Sequence, residues 1–212
     1  MKRLPEPEEL MNEPGQARAY AEADFSEPNR LFVDLFAEAA DDFRGTALDL
    51  GCGPGDIPIA FAERFSGATV EVLDGAEAML DIAREKLARV APALAGRVIL
   101  RHAMLPCPTL PERGYDAVLS NSLLHHLADP LDLWRTVRQC GRPGARVLVM
   151  DLARPASDIG VDALVESYAL DAPEVLRRDF RNSLYAAYTP AEVADQLAEL
   201  GLGELEVGMV SD

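Results

Sequence analysis

The sequence predicts an α/β fold, a doubly wound, mostly parallel sheet with helices on both faces. Three observations carry that prediction. Short apolar runs alternate with amphipathic segments of helical period, the signature of successive strand–helix–strand units. The first run, Thr46 to Leu50, ends in Gly51, Gly53 and Gly55, three glycines within five residues. At 212 residues, 49% hydrophobic and 26% charged, the chain has ordinary globular composition and length for one full core.

Residues 1–16 are rich in Pro and Glu, lack periodicity, and read as a mobile N-terminal tail. One domain is expected over 17–212, with a helical cap over 17–45. Ala17 to Phe43 is predicted helical, with Leu31, Leu35 and Phe36 at helical spacing and Pro28 in the first turn behind Ser26 as a cap. Thr46 to Leu50 is the first strand and Ile57 to Phe65 the helix after it. Ala68 to Leu73 is the second strand, followed by an amphipathic helix from Glu77 to Val90 whose apolar face is Met79, Ile82, Ala83, Leu87 and Val90. Arg97 to Leu100 and Tyr115 to Ser120 are the third and fourth strands. Leu131 to Cys140 is helical, and Gly141-Arg-Pro-Gly144 reads as its stop and a turn. Arg146 to Asp151 is the fifth strand, expected to be richest in buried aliphatics. A lid-like insertion over 155–189 precedes a last helix, Pro190 to Leu200, and Glu204 to Val210 reads as a sixth strand.

Ligands of such sheets bind beyond the carboxyl ends of the strands. The loop Asp49-Leu-Gly-Cys-Gly-Pro-Gly55 stands at the first such end. Glycines let the backbone turn sharply and admit a bulky ligand. The loop is not a Walker phosphate loop, because no Gly-Lys-Ser/Thr follows. Its G-x-G-x-G spacing also departs from the dinucleotide G-x-G-x-x-G. Asp49 would repel a pyrophosphate and welcome a cationic, amino-acid-bearing cofactor. The bland alternative is a glycine turn without a ligand. Asp74 ends the second strand, 19 residues beyond Gly55. It suits ribose hydroxyls, or else caps the helix that follows.

These residues resemble the class I S-adenosylmethionine-dependent methyltransferases over about Ala47 to Asp151. Asp-Leu-Gly-Cys-Gly-Pro-Gly matches the family's first motif, and Leu73-Asp-Gly-Ala-Glu-Ala-Met-Leu80 its second. Tyr115 to Pro130, with Leu-His-His-Leu-x-Asp-Pro, is similar to the small-molecule branch that includes quinone C-methyltransferases. The resemblance implies a Rossmann-like, seven-stranded sheet, S-adenosylmethionine as cofactor, S-adenosylhomocysteine as product, and methyl transfer by in-line displacement. It implies cofactor contacts at Asp49, Gly51, Cys52, Gly53, Gly55, Asp74, Gly75 and Asn121. Two departures stand out. His102 occupies the place of the acid that usually holds the adenine amino group, so backbone groups of Ala103 or Met104 are expected there. The antiparallel seventh strand has no residues left after Val210, so the fold lacks it, a partner supplies it, or the chain is cut short.

For the acceptor site, His125 and His126 are candidate general bases, against the alternative that both imidazoles simply pack beneath a helix. Asp151 and Arg154 follow the fifth strand. Arg154 either anchors a substrate carboxylate or phosphate or pairs with Asp151 at the surface. Tyr20 and Phe25 are expected over the cofactor. Arg181 and Tyr185, among the aromatics and arginines of the insertion, suit a lid over an acidic, partly apolar molecule or a homodimer interface.

A net charge of −16 with scattered basic residues disfavours nucleic acid and leaves a small-molecule methyl acceptor, or a basic protein, as partner. No apolar run is long enough for a membrane span. The three cysteines, Cys52, Cys107 and Cys140, have no metal-ligand spacing, no metal is indicated, and a reducing cytoplasm is expected. A non-catalytic protein that binds the same cofactor, as a regulator or assembly partner, is the alternative function. A nicotinamide dehydrogenase is disfavoured by the glycine spacing and Asp49.

Overall fold

The computed structural model describes residues 1–6, 10–90, 92–94 and 96–211. Five strands form one parallel sheet: β1 (Arg44–Leu50), β2 (Gly67–Asp74), β3 (Val98–His102), β4 (Tyr115–Asn121) and β5 (Gly141–Met150). Their order is β3-β2-β1-β4-β5, so the winding reverses between β1 and β4. The second half of β1 and nearly all of β4 are buried, as expected for strands covered on both faces. Helices α1 (Pro14–Glu22), α2 (Ser26–Ala39), α3 (Asp56–Arg64), α4 (Glu77–Val90) and α5 (Leu131–Cys140) lie before and between these strands along the chain.

The chain divides into two compact units. The first comprises Leu10–Asn121 and Gln139–Met150 and holds the whole sheet. Its core joins sheet residues such as Ala47, Val70, Val72 and Leu119 to Phe32 and Phe36 of α2 and Phe61 of α3. Phe36, Phe43, Phe61 and Phe65 form an aromatic cluster with centroids 4.6–6.1 Å apart, mostly edge to face. On α4, Met79 and Ala83 are buried as their spacing predicts, and Met79 meets Ala17 of α1. The side chain of Val90 lies outside the described residues.

The second unit contains Met1–Glu9, Ser122–Arg138 and Asp151–Asp212. Helices α6 (Asp158–Ala169) and α7 (Glu174–Ala186) pack through Val161, Val165, Ala169 and Leu184. Helix α8 (Pro190–Glu199) starts at a capping box in which Thr189 and Glu192 satisfy each other's backbone amides. Trp134 Nε1 donates to Gln196 Oε1 at 2.8 Å, joining α5 to α8.

Several boundaries differ from expectation. The helical stretch from Ala17 to Phe43 is two helices, because residues 23–25 leave the helix before Ser26 opens α2. Gly141 to Gly144 is not a turn outside the sheet but the start of β5. Tyr115 pairs with Gly141 and Ala117 with Arg146, so the intervening residues bulge, with Gly144 at φ 80°. Val147 to Met150 are half-buried rather than the best-buried aliphatics, because β5 is an edge of the sheet. Glu204 to Val210 forms no strand. No described strand pairs with it, and Met209 and Val210 stay exposed. Among the described residues no helix is long and apolar enough to cross a membrane.

Candidate functional site

The carboxyl ends of β1 and β2 are tied together by their own loops. The amides of Gly51 and Cys52 both donate to Leu73 O, at 2.9 and 3.0 Å. Gly53 N donates to Asp74 Oδ2 at 2.7 Å, and Ala76 N to Asp74 Oδ1 at 2.8 Å. Asp74 therefore does what the helix-cap reading required and also pins the glycine loop. Gly55 precedes α3 with φ 84°, where a Cβ would sit 3.0 Å from that of Ala83. Gly53, at φ 51°, has nothing within 4 Å of the same position, so the loop presents open space there.

Behind this cradle sits unsatisfied charge. Asp49 is 2% exposed and its Oδ2 has no hydrogen-bond partner; Asn121 Oδ1, at the end of the neighbouring β4, is in the same state. Burial, and then the charge of Asp74, push the Asp49 carboxyl up to about 7. A buried polar atom without a partner costs about 1–3 kcal/mol, and two of them stand here at adjacent strand ends, which makes this the candidate place for a ligand. The Cys52 thiol is pushed well above its ordinary range by burial and by both carboxylates, which makes it unreactive.

Where an adenine-binding acid was expected, His102 closes β3 with its Nε2 3.0 Å from Gly75 O and its Nδ1 3.1 Å from Glu77 Oε2. The amide of Ala103 donates to Asp74 O at 3.0 Å, so it serves the sheet and not an incoming base. The Met104 side chain lies over Gly75, a contact its spacing does not announce. Tyr20 stacks on Phe25 at 4.8 Å and packs against the Ala17, Ala76 and Met79 cluster.

The remaining residues belong to the second unit. His125 is 2% exposed, with Nδ1 2.5 Å from Asp151 Oδ1. Asp151 also accepts from Leu124 N at 2.8 Å and Leu152 N at 2.7 Å. Burial pushes the His125 pKa down, but the charge and hydrogen bond of Asp151 outweigh it and hold it above the usual value. His126 Nδ1 lies 2.5 Å from Glu6 Oε2, an ion-pair distance. Arg154 neither pairs with Asp151 nor lies at the surface. Its side chain is 5% exposed, donating to Glu192 Oε1 at 2.6 Å and Ala187 O at 2.9 Å, because the start of α8 brings a carboxylate closer than Asp151. Arg181 pairs with Asp162 across α6 and α7, and Tyr185 Oη donates to Asp158 Oδ1 at 3.1 Å.

Ser122 takes φ 54° immediately after β4. One residue was not anticipated. Glu6 lies in the segment expected to be a mobile tail. There Leu4 N donates to Tyr185 O, Arg3 donates to His125 O and Ala186 O, and Glu6 accepts from Ser183 Oγ. Residues 7–9 of that segment lie outside the described ones.

Residues 48–147 match the family model described as a methyltransferase domain. The trans-aconitate 2-methyltransferase of Methylobacterium radiotolerans is 34% identical over 132 residues, 61% of this chain and 47% of that protein. The ubiquinone biosynthesis O-methyltransferase of Pseudomonas paraeruginosa is 28% identical over 174 residues, 82% of this chain and 71% of that protein. The chain thus spans about half the length of the first relative. A crystal structure of a SAM-dependent methyltransferase from Aquifex aeolicus shares the fold at a TM-score of 0.66 and 19% identity, over 94% of this chain and 92% of that one.

Proposed function

We propose that the chain is a class I S-adenosylmethionine-dependent methyltransferase, a reading supported by the methyltransferase-domain match and the relatives, and that it transfers a methyl group from S-adenosylmethionine to a small-molecule acceptor by in-line displacement. The observation that carries this reading is the buried, unpartnered Asp49 Oδ2 beside an open glycine cradle. An ammonium group brought to that carboxylate would supply the opposite charge it lacks. Asp74 would take the ribose hydroxyls, the role that a carboxylate at the end of the second strand suits. Asn121 Oδ1 would accept a donor at the end of β4. Bound there, the cofactor supplies a methyl group on a sulfonium, a good leaving group. The protein's part is then to align the acceptor and exclude water.

The −16 charge favours a small acceptor over a polynucleotide, and the relatives' names, trans-aconitate and ubiquinone biosynthesis, are in keeping with it. Arg154 and Arg181 are not assigned to an acidic substrate, because Glu192 and Asp162 already face them. His125 is kept out of the displacement step, being enclosed and held by Asp151.

Calorimetry with S-adenosylmethionine and S-adenosylhomocysteine tests the reading. Wild type should bind both in the micromolar range, with Asp74→Ala weaker by about 1–3 kcal/mol. No binding by folded protein would overturn it. Binding without S-adenosylhomocysteine formation, across small acids, quinols and a basic protein, would leave a cofactor-binding protein that is not an enzyme.

A further inference from the structure

We infer that Glu6, His125 and His126 form a binding site for one divalent transition-metal ion of the zinc type, which clamps the N-terminal segment to the turn Leu124–His126. One donor atom from each of the three residues lies within 4.8 Å of the others. Tetrahedral zinc with bonds near 2.1 Å separates its donors by about 3.4 Å, so closing the set takes roughly an ångström of side-chain movement at its widest. The donor set, two imidazoles and a carboxylate, is the chemistry that zinc and its neighbours select.

The surroundings are built as metal sites are built. Asp151 stands 2.5 Å from His125 Nδ1, which leaves Nε2 as the ligating nitrogen, and Asp151 is itself fixed by the amides of Leu124 and Leu152. Carboxylate–histidine pairs of this kind orient metal-binding imidazoles and raise their basicity. Ser183 Oγ donates to Glu6 Oε1 at 2.5 Å, fixing the second carboxylate in turn. His126 Nδ1 and Glu6 Oε2 meet at 2.5 Å as an ion pair, and an increase of about 0.9 Å in their separation would let both bind one tetrahedral ion. The side chains of Glu6 and His125 are 8% and 2% exposed and that of His126 23%, so solvent reaches the cluster from the His126 side. Two carboxylates face the imidazoles against one guanidinium, Arg3, which is turned onto the carbonyls of His125 and Ala186 and over the Tyr188 ring. Three protein donors leave zinc a fourth position for water. Because Glu6 is the only ligand from residues 1–6, the ion would bind that segment to the rest of its unit.

The test uses the full chain, stripped with chelator and titrated with zinc by calorimetry and with cobalt by absorption spectroscopy. One zinc per chain at submicromolar Kd is expected, with cobalt giving the visible bands of a four-coordinate site. Glu6→Gln and His126→Ala should each weaken zinc binding at least tenfold, and Asp151→Asn by about 10–100-fold. His102→Ala, which removes the chain's other histidine, should leave it unchanged. Zinc should also slow tryptic cleavage after Arg3 in wild type but not in Glu6→Gln, a readout that holds if a histidine variant fails to fold. No zinc binding, an equal loss in His102→Ala, or cleavage indifferent to zinc would each overturn the inference.

Discussion

The loop after β1 and the turn at Leu124–His126 treat buried charge in opposite ways. Asp49 is enclosed with one carboxylate oxygen unmatched and its nearest named charge, Asp74, of the same sign. Asp151 is also largely enclosed, yet it faces an imidazole and two backbone amides. The difference separates a carboxylate awaiting a partner from one that already organises its surroundings. The contrast belongs to these carboxylates and not to the units as wholes, since Arg154 Nε is also buried without a hydrogen bond. Asn121 Oδ1 lacks a partner at the end of β4, whereas Arg154 and Arg181 each face a carboxylate. Charged residues near a presumed substrate site are therefore weak guides until their partners are known.

The comparison can be broken most severely at Asp151. Asp151→Ala leaves a buried imidazole and two amides unmatched, and urea denaturation should show a loss of about 3–5 kcal/mol. Asp49→Asn should do the reverse. Above pH 7 it should hold or raise the stability of the ligand-free protein while weakening S-adenosylmethionine binding by at least tenfold. If it destabilises as Asp151→Ala does, Asp49 is not an unmatched charge.

The two glycines of the cradle sharpen the point. Gly55→Ala meets both a left-handed backbone and the Ala83 side chain, and should cost about 1–3 kcal/mol of stability. Gly53→Ala meets only the backbone conformation, about 1 kcal/mol, but places a methyl group in the open space and should lower cofactor affinity more than stability. Equal losses in both quantities for both variants would mean that the space is not used.

The pH dependence follows from Asp49. Its carboxyl is raised in the folded state to about 7 from an ordinary 3.8. The folded protein therefore holds the extra proton between those values, and this group's contribution to stability falls as pH rises through the window and levels off above 7. Binding of a cationic ligand should run the other way. Affinity should fall roughly tenfold for each pH unit below about 7, with proton release seen by calorimetry in buffers of different ionisation enthalpy, and should flatten above it. The smallest effect is expected at Arg181, whose exposed pair with Asp162 should contribute no more than about 1 kcal/mol.

Much of the sheet was legible in the sequence because its signals are local. Each of the five strands was anticipated to within a few residues at its carboxyl end, and those ends carry Asp49, Asp74 and Asn121. The Gly-Arg-Pro-Gly stretch misled because a bulge at a strand start uses the same residues as a turn. Glu204 to Val210 misled because its apolar residues have strand character, whereas a strand exists only where a neighbour completes its ladder. Glu6 was illegible for a related reason. Nothing in a Pro- and Glu-rich segment announces that one of its carboxylates meets a histidine 120 residues later.

The sequence by itself determined the alternation of strands and helices, the glycine loop and the acids that follow β1 and β2, because periodicity, φ freedom and the order of residues along a strand are properties of the chain. Only the tertiary structure decided which charges are matched. Arg154 found Glu192 rather than Asp151, the Ala103 amide found Asp74 O, and Asp49 Oδ2 found no hydrogen-bond partner. A charge is matched or left unmatched by what lies within a few ångströms in space, and those neighbours come from segments that no local pattern connects.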